Sequence, residues 1–185
     1  MRRIGKVAVI SESGFARRDV AIKVASPEIL KDPEKGKVFT YLFLNEASLV
    51  GKLAHPHIVQ IFDAVVTESL SYIVMEYVEG GTLEAYCDPT NLLPVERIVE
   101  IIFKCTRALD FAHRIGITHR DIKPANILFA GNSPLSGDIK ISDFGAAIID
   151  APERTQVTGI GSPAYMSPQQ LHEMPPDHQT DIYGL

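Results

Sequence analysis

Between Ile117 and Phe129 the chain reads ITHRDIKPANILF, so Arg120, Asp121, Lys123 and Asn126 stand between two short apolar runs. Pro124 removes a backbone donor and disfavours helix at Lys123, which makes this stretch a loop. In a loop, Asp121 and Asn126, five positions apart, can converge on one point. Downstream, DIKISDFG (138–145) alternates Ile139 and Ile141 on one strand face. It ends in Asp143 beside Gly145, a residue able to take unusual backbone angles. Three oxygen-bearing side chains at loop ends suit a hard cation, which prefers carboxylate and amide oxygens. A divalent ion held there brings phosphate oxygens with it.

A second charge stands where none is expected. Phe39, Leu42, Phe43, Leu49, Val50 and Leu53 recur at helical spacing, and Glu46 falls on the same stripe. A desolvated carboxylate needs a cationic partner, because burying it alone is strongly unfavourable. Lys23, at the end of the strand-like run VAIK, is the candidate. The alternative leaves Glu46 at an edge, reaching water, and Lys23 as a solvated strand end.

The elements that must position these groups fall into two halves. KVAVIS, DVAIKVA, HIVQIFDAVV and LSYIVMEYV read as strands around one helix, and HPHIV (55–59) as a loop leading into a strand rather than a metal site. From Pro94 onward the pattern is helical, with Ile98, Ile101, Ile102, Cys105, Leu109 and Ala112 on the expected buried face. The two halves meet near MEYVEGGTL (75–83), where two glycines interrupt the apolar run.

A length of 185 residues with 45% hydrophobic and 22% charged content is that of one globular domain. The net charge of −5 argues against a nucleic-acid or anionic-membrane surface as the main partner. Two cysteines, Cys87 and Cys105, no CxxC pair and no signal segment point to a reduced, cytoplasmic setting, and no run is long enough to span a membrane.

VAIK, NEASLVGKLAHPHIV, MEYVEGGTL, HRDIKPANILF, DIKISDFG, GSPAYMSPQQ and TDIYGL follow one another in an order and spacing that resemble a eukaryotic-type (Hanks-type) serine/threonine protein kinase. The resemblance implies an α+β, bilobal fold. Residues 1–78 would form a five-stranded antiparallel sheet with one helix; residues 79–185 would form part of a mainly helical lobe, with the catalytic loop, the activation segment and the start of a further helix. It also implies ATP and Mg²⁺ (or Mn²⁺) as cofactors, and proteins bearing Ser or Thr as substrates, this chain included.

Roles follow from the same resemblance. Lys23 would hold the ATP phosphates and pair with Glu46. Asp121 would orient the substrate hydroxyl, Lys123 would contact the γ-phosphate, and Asn126 and Asp143 would hold the metal. Glu76 and Val78 would bond adenine through the backbone, with Met75 guarding the back pocket. Ala21, Leu128 and Val9 would sandwich the ring, and Val50, His119 and Phe144 resemble members of the family's stacked spine. In the activation segment Thr155 or Thr158 would be phosphorylated and pair with Arg120, while Ser162 would touch Asp121 and Lys123. Asp181 resembles the aspartate that braces the catalytic loop.

The sequence departs from the family in its first residues, where only Gly5 and Gly14 stand for a glycine-rich phosphate lid, which implies weaker ATP binding. Ser167 and Gln169 replace the alanine and glutamate of the usual Ala-Pro-Glu, and the later helices of the family's larger lobe are not matched. A catalytically impaired pseudokinase, or a truncated fragment that binds nucleotide or protein, is the competing expectation.

Overall fold

The computed structural model describes residues 3–9, 18–25, 35–67, 70–131, 133–149, 162–175 and 177–185. It divides into two compact units, residues 1–54 with 59–77, and residues 55–58 with 78–185. The sequence reading put the division after Val78; the structure puts it after Tyr77 and assigns His55–Ile58 to the second unit.

In the first unit, strands β1 (Arg3–Val9), β2 (Arg18–Val24), β3 (Ile61–Val66) and β4 (Ser71–Glu76) form an antiparallel sheet in the order β1-β2-β4-β3. The expected five strands are therefore four among the described residues. Gly5 lies inside β1, opposite Ile22, as a strand residue rather than part of a phosphate-cradling loop. Helix α1 (Lys35–Ala47) packs near β3. The apolar stripe was expected to continue as helix to Leu53, but the helix ends at Ala47. Tighter bonds from Leu49 N–H to Glu46 C=O and from Lys52 N–H to Leu49 C=O carry the chain round, and Gly51 supplies a positive φ of 73°. Leu49 and Leu53 are buried all the same.

The second unit is built on helix α2 (Val95–Arg114), a sheet in the order β5-β7-β8 (Gly80–Thr82, Ile127–Ala130, Ile139–Ile141) and the pair β6 (Ile117–Thr118) with β9 (Ile148–Ile149). Ile139 and Ile141 are fully buried, as their alternation suggests. A Cβ on Gly80 would run into the carbonyl of Phe129 on the neighbouring strand, so β5 approaches β7 closely only with glycine there.

The buried face of α2 differs from the expected one. Ile101, Cys105, Leu109 and Ala112 are buried, whereas Ile98 and Ile102 are exposed and line an open apolar cavity with Leu83 and Tyr165. Arg97 takes the buried position one turn before Ile101. Its Nε donates to Pro134 O (2.6 Å), its guanidinium also bonds Gly137 O, and Nη1 meets Glu100 at 2.6 Å. A guanidinium is tolerated there because its donors are satisfied, and in return it ties the 133–138 connection to α2.

His55–Ile58 is held by the same unit. Ile141 N–H donates to His57 O (2.9 Å), Lys140 Nζ to Pro56 O (2.8 Å), and the His55 ring stacks on Phe111 at 5.3 Å. Cys87 is exposed and Cys105 buried, both as free thiols. Among the described residues no helix is long and apolar enough to cross a membrane.

Candidate active site

Lys23 stands on β2 opposite Ile73, and Glu46 in the last turn of α1. Their ammonium and carboxylate form an ion pair, with side chains only 7% and 3% exposed. The reading in which Glu46 reaches water is excluded by that burial. Two opposite charges removed from water together are stable where either alone would not be.

The second unit carries a denser arrangement. Asp181, in helix α4 (His178–Gly184), is fully buried and accepts bonds from His119 N–H (2.9 Å), Arg120 N–H (2.7 Å) and His113 Nε2 (2.8 Å). Arg120 has φ +68°, a left-handed conformation that costs a non-glycine residue about 1–2 kcal/mol. Its strain is maintained by these bonds, and it delivers the chain into Asp121 at a fixed angle. His119 Nδ1 accepts from Asp121 N–H (3.2 Å) while Nε2 faces Ser142 O (3.0 Å), so the ring carries its proton on Nε2. The same ring packs edge-on against Phe144 at 4.4 Å.

The Asp121 carboxylate is held by one oxygen. Oδ2 accepts from Lys123 Nζ (2.8 Å) and Asn126 Nδ2 (3.1 Å), while Oδ1 is buried and makes no hydrogen bond among the described residues. Lys123 also donates to Ser162 Oγ, which links the loop to the described end of the activation segment. Pro124–Asn126 forms one 3₁₀ turn, with Pro at its first position, and this turn folds Asn126 back onto Asp121.

Asp143 also has a left-handed φ, +64°, and it is this residue, not Gly145, that takes the unusual angle. Gly145 lies in the short 3₁₀ turn Phe144–Ala146. Next to Asp143, Ser142 donates through both N–H (2.9 Å) and Oγ (3.1 Å) to the backbone carbonyl of Asn126, coupling the two segments. Asn126 spends its amide nitrogen on Asp121, on O at 2.8 Å as well as Oδ2, which leaves its carbonyl oxygen as the donor atom suited to a cation. One amide oxygen and one carboxylate fit a hard ion that keeps water and phosphate oxygens. They do not make an all-protein cage, and no cluster of three His, Cys, Asp or Glu side chains occurs among the described residues.

Of the remaining expected residues, Ala21 and Met75 face each other in the first unit's sheet and are buried, and Val50 lies just beyond α1. Glu76 pairs with Gln60 through its backbone N–H (2.8 Å) and Oε2 (3.3 Å). Val78 opens the second unit, and Leu128 lies on β7. The Arg120 side chain is buried. Thr155, Thr158, Gly14 and the side chain of Val9 lie outside the described residues.

Three participants escaped the sequence reading. His113 completes the Asp181 cluster and stacks face to face on His178 at 4.2 Å. Ser167 and Gln170 form a reciprocal cap on helix α3 (Pro168–Leu171), and Gln170 Nε2 continues to Arg120 O at 2.8 Å. The cap was legible as Ser-x-x-Gln; the bonds to Asp181 and Arg120 leave no sequence signal, because their partners are 68 and 50 positions away.

Comparison with known proteins supplies the family. The protein kinase domain family matches residues 4–185. The serine/threonine-protein kinase PknB of Mycobacterium leprae is 38% identical over 175 residues, covering 91% of this chain and 27% of that protein. A probable serine/threonine-protein kinase of Clostridium acetobutylicum is 36% identical over 186 residues, covering 98% and 27%. The chain thus spans about a quarter of the length of these relatives. Among solved structures, the PknI kinase domain of Mycobacterium tuberculosis superimposes with a TM-score of 0.70 at 28% identity, covering all of this chain and 65% of that one.

Proposed function

Because the chain belongs to the protein kinase domain family, we propose that it carries the phosphotransfer machinery of a serine/threonine protein kinase, moving the γ-phosphate of ATP to Ser or Thr hydroxyls of proteins. The observation that carries this reading is the Asp121 carboxylate, anchored through Oδ2 while its buried Oδ1 makes no hydrogen bond among the described residues. An oxygen so placed accepts the hydrogen bond of an incoming hydroxyl and aims its lone pair at phosphorus.

Lys123, already bonded to Asp121 and Ser162, has a third N–H for the transferring phosphate. In the first unit Lys23, oriented by Glu46, would supply positive charge to phosphate, and Ala21 and the backbone at Glu76 are the candidates for adenine; in the second unit the candidates are Val78 and Leu128. Asn126 Oδ1 and the Asp143 carboxylate would hold Mg²⁺. Bound Mg²⁺ neutralises phosphate charge as it is redistributed in transfer. Little covalent chemistry falls to the protein, so positioning and electrostatics supply most of the acceleration. Ordering of the activation segment by phosphorylated Thr155 or Thr158 against Arg120, and a cytoplasmic location, belong to the same reading.

The test is transfer of labelled γ-phosphate from Mg²⁺–ATP to the protein itself and to a generic basic protein, with Asp121→Asn as control. Phosphoserine or phosphothreonine that falls at least about 100-fold in the variant is the expected result. A folded sample that transfers no more than the variant would overturn the reading. Retained ATP binding would then identify a pseudokinase.

A further inference from the structure

The left-handed Arg120 is gripped on both of its peptide groups. Asp181 Oδ1 takes its N–H at 2.7 Å, and Gln170 Nε2 donates to its carbonyl at 2.8 Å. The amide of Gln170 is itself fixed at the other end, where Oε1 accepts from Ser167 N–H at 3.1 Å. Because the oxygen end is claimed by a donor and the nitrogen end by an acceptor, neither a flipped amide nor a carboxylate satisfies both partners. Helix α3 directly follows the segment that contains Ser162, the residue that Lys123 contacts. Gln170 therefore ties that segment's far end to the residue that aims Asp121, while Lys123 and Ser162 tie its near end.

We propose that Gln170 is a positioning residue for phosphotransfer: through Arg120 it fixes the angle at which Asp121 meets the substrate hydroxyl. The inference rests on the kinase reading above. It adds a group on the substrate side of the catalytic loop, and it accounts for a glutamine where a surface helix of four residues would accept many others. Loss of the Nε2 bond relaxes the Arg120 peptide, and Asp121 turns away from the line of transfer.

Gln170→Glu isolates this bond. The variant keeps an acceptor for Ser167 N–H, so the helix cap survives, but sets a carboxylate oxygen against the Arg120 carbonyl. The kcat for transfer is expected to fall about tenfold, the value of one aligned hydrogen bond, with KM for ATP changed less than about twofold. Once protonated, the introduced carboxyl regains a donor, and the facing carbonyl biases it toward that protonated form. The kcat ratio of variant to wild type should therefore rise at least about threefold between pH values of about 8 and about 6. Asp121, Asp181, Arg120 and His113, the charged and titratable groups around this bond, are present in both proteins, so the ratio reports the change at position 170. Gln170→Ala, which cannot regain a donor, should show a loss that does not recover.

Amide hydrogen exchange reads the same bond without turnover: the Arg120 and Asp121 amides should exchange about tenfold faster in Gln170→Glu, with that of Cys105 on α2 unchanged. Wild-type kcat in Gln170→Glu, a loss equal at both pH values, or unchanged exchange at Arg120 would overturn the proposal. A wild type without transfer would sink the kinase reading instead, and the exchange rates would still decide whether Gln170 holds the loop.

Discussion

The two charged centres are built on different principles. Lys23 and Glu46 form a buried ion pair between a strand and a helix of one unit. Around Asp121 the other unit gathers Lys123, Asn126, Ser162 and, behind them, His113, His119, Gln170 and Asp181. An ion pair depends on both of its members being present. A network determines angles, because each peptide group of a strained residue has its own partner. The contrast suggests that the first centre supplies charge, while the second supplies geometry.

The largest effect should come from Asp181→Ala. It strands three donors beneath the catalytic loop, so transfer should fall at least about 100-fold and unfolding stability by about 3–5 kcal/mol, measured by turnover and denaturant titration. Next, Lys23→Met removes the ammonium that pairs with the buried Glu46 carboxylate and should lower stability by about 3–5 kcal/mol. Adding Glu46→Leu should restore most of that stability while transfer stays lost, since an apolar pair packs but binds no phosphate. A double variant that remains as unstable as the single one would break the comparison, because the first centre would then behave as a network. Ser162→Ala removes one bond from Lys123 and should lower transfer by about threefold to tenfold, without a stability change above about 1 kcal/mol.

The smallest effect concerns His55. Burial lowers its pKa, followed by the charges of His57, Arg107 and Lys140. A histidine held neutral in the folded state lets the unfolded state bind the extra proton first. Stability should therefore decline as pH falls below the ordinary value of 6.5 and level off once the lowered folded value is passed. His55→Phe should remove that component of the thermal-midpoint profile. A profile unchanged by the substitution would place the pH dependence elsewhere.

What the sequence made legible was local. Pro124 marked the loop that brings Asn126 to Asp121, and Glu46 on an apolar stripe demanded the cation that Lys23 supplies. Alternation identified the buried face of β8. Less visible were features set by partners far along the chain: Arg97 is buried because carbonyls near residues 134 and 137 receive it, a reversal of the usual rule for charges. Ile98 and Ile102 fit the helical pattern yet stand exposed, since period alone does not fix which arc of a helix faces the core. Strain fell on Arg120 and Asp143 instead of a glycine, because surrounding bonds, not intrinsic preference, decide which residue is held left-handed.

The central claim is that the polar groups around Asp121 are completed by a metal–nucleotide complex. It is tested most directly by calorimetric titration of ATP with and without Mg²⁺, comparing wild type with Asp143→Asn. Mg²⁺ should tighten ATP binding at least about tenfold in the wild type and by less than about twofold in the variant. Equal Mg²⁺ enhancement in both proteins, or none in either, would contradict the account.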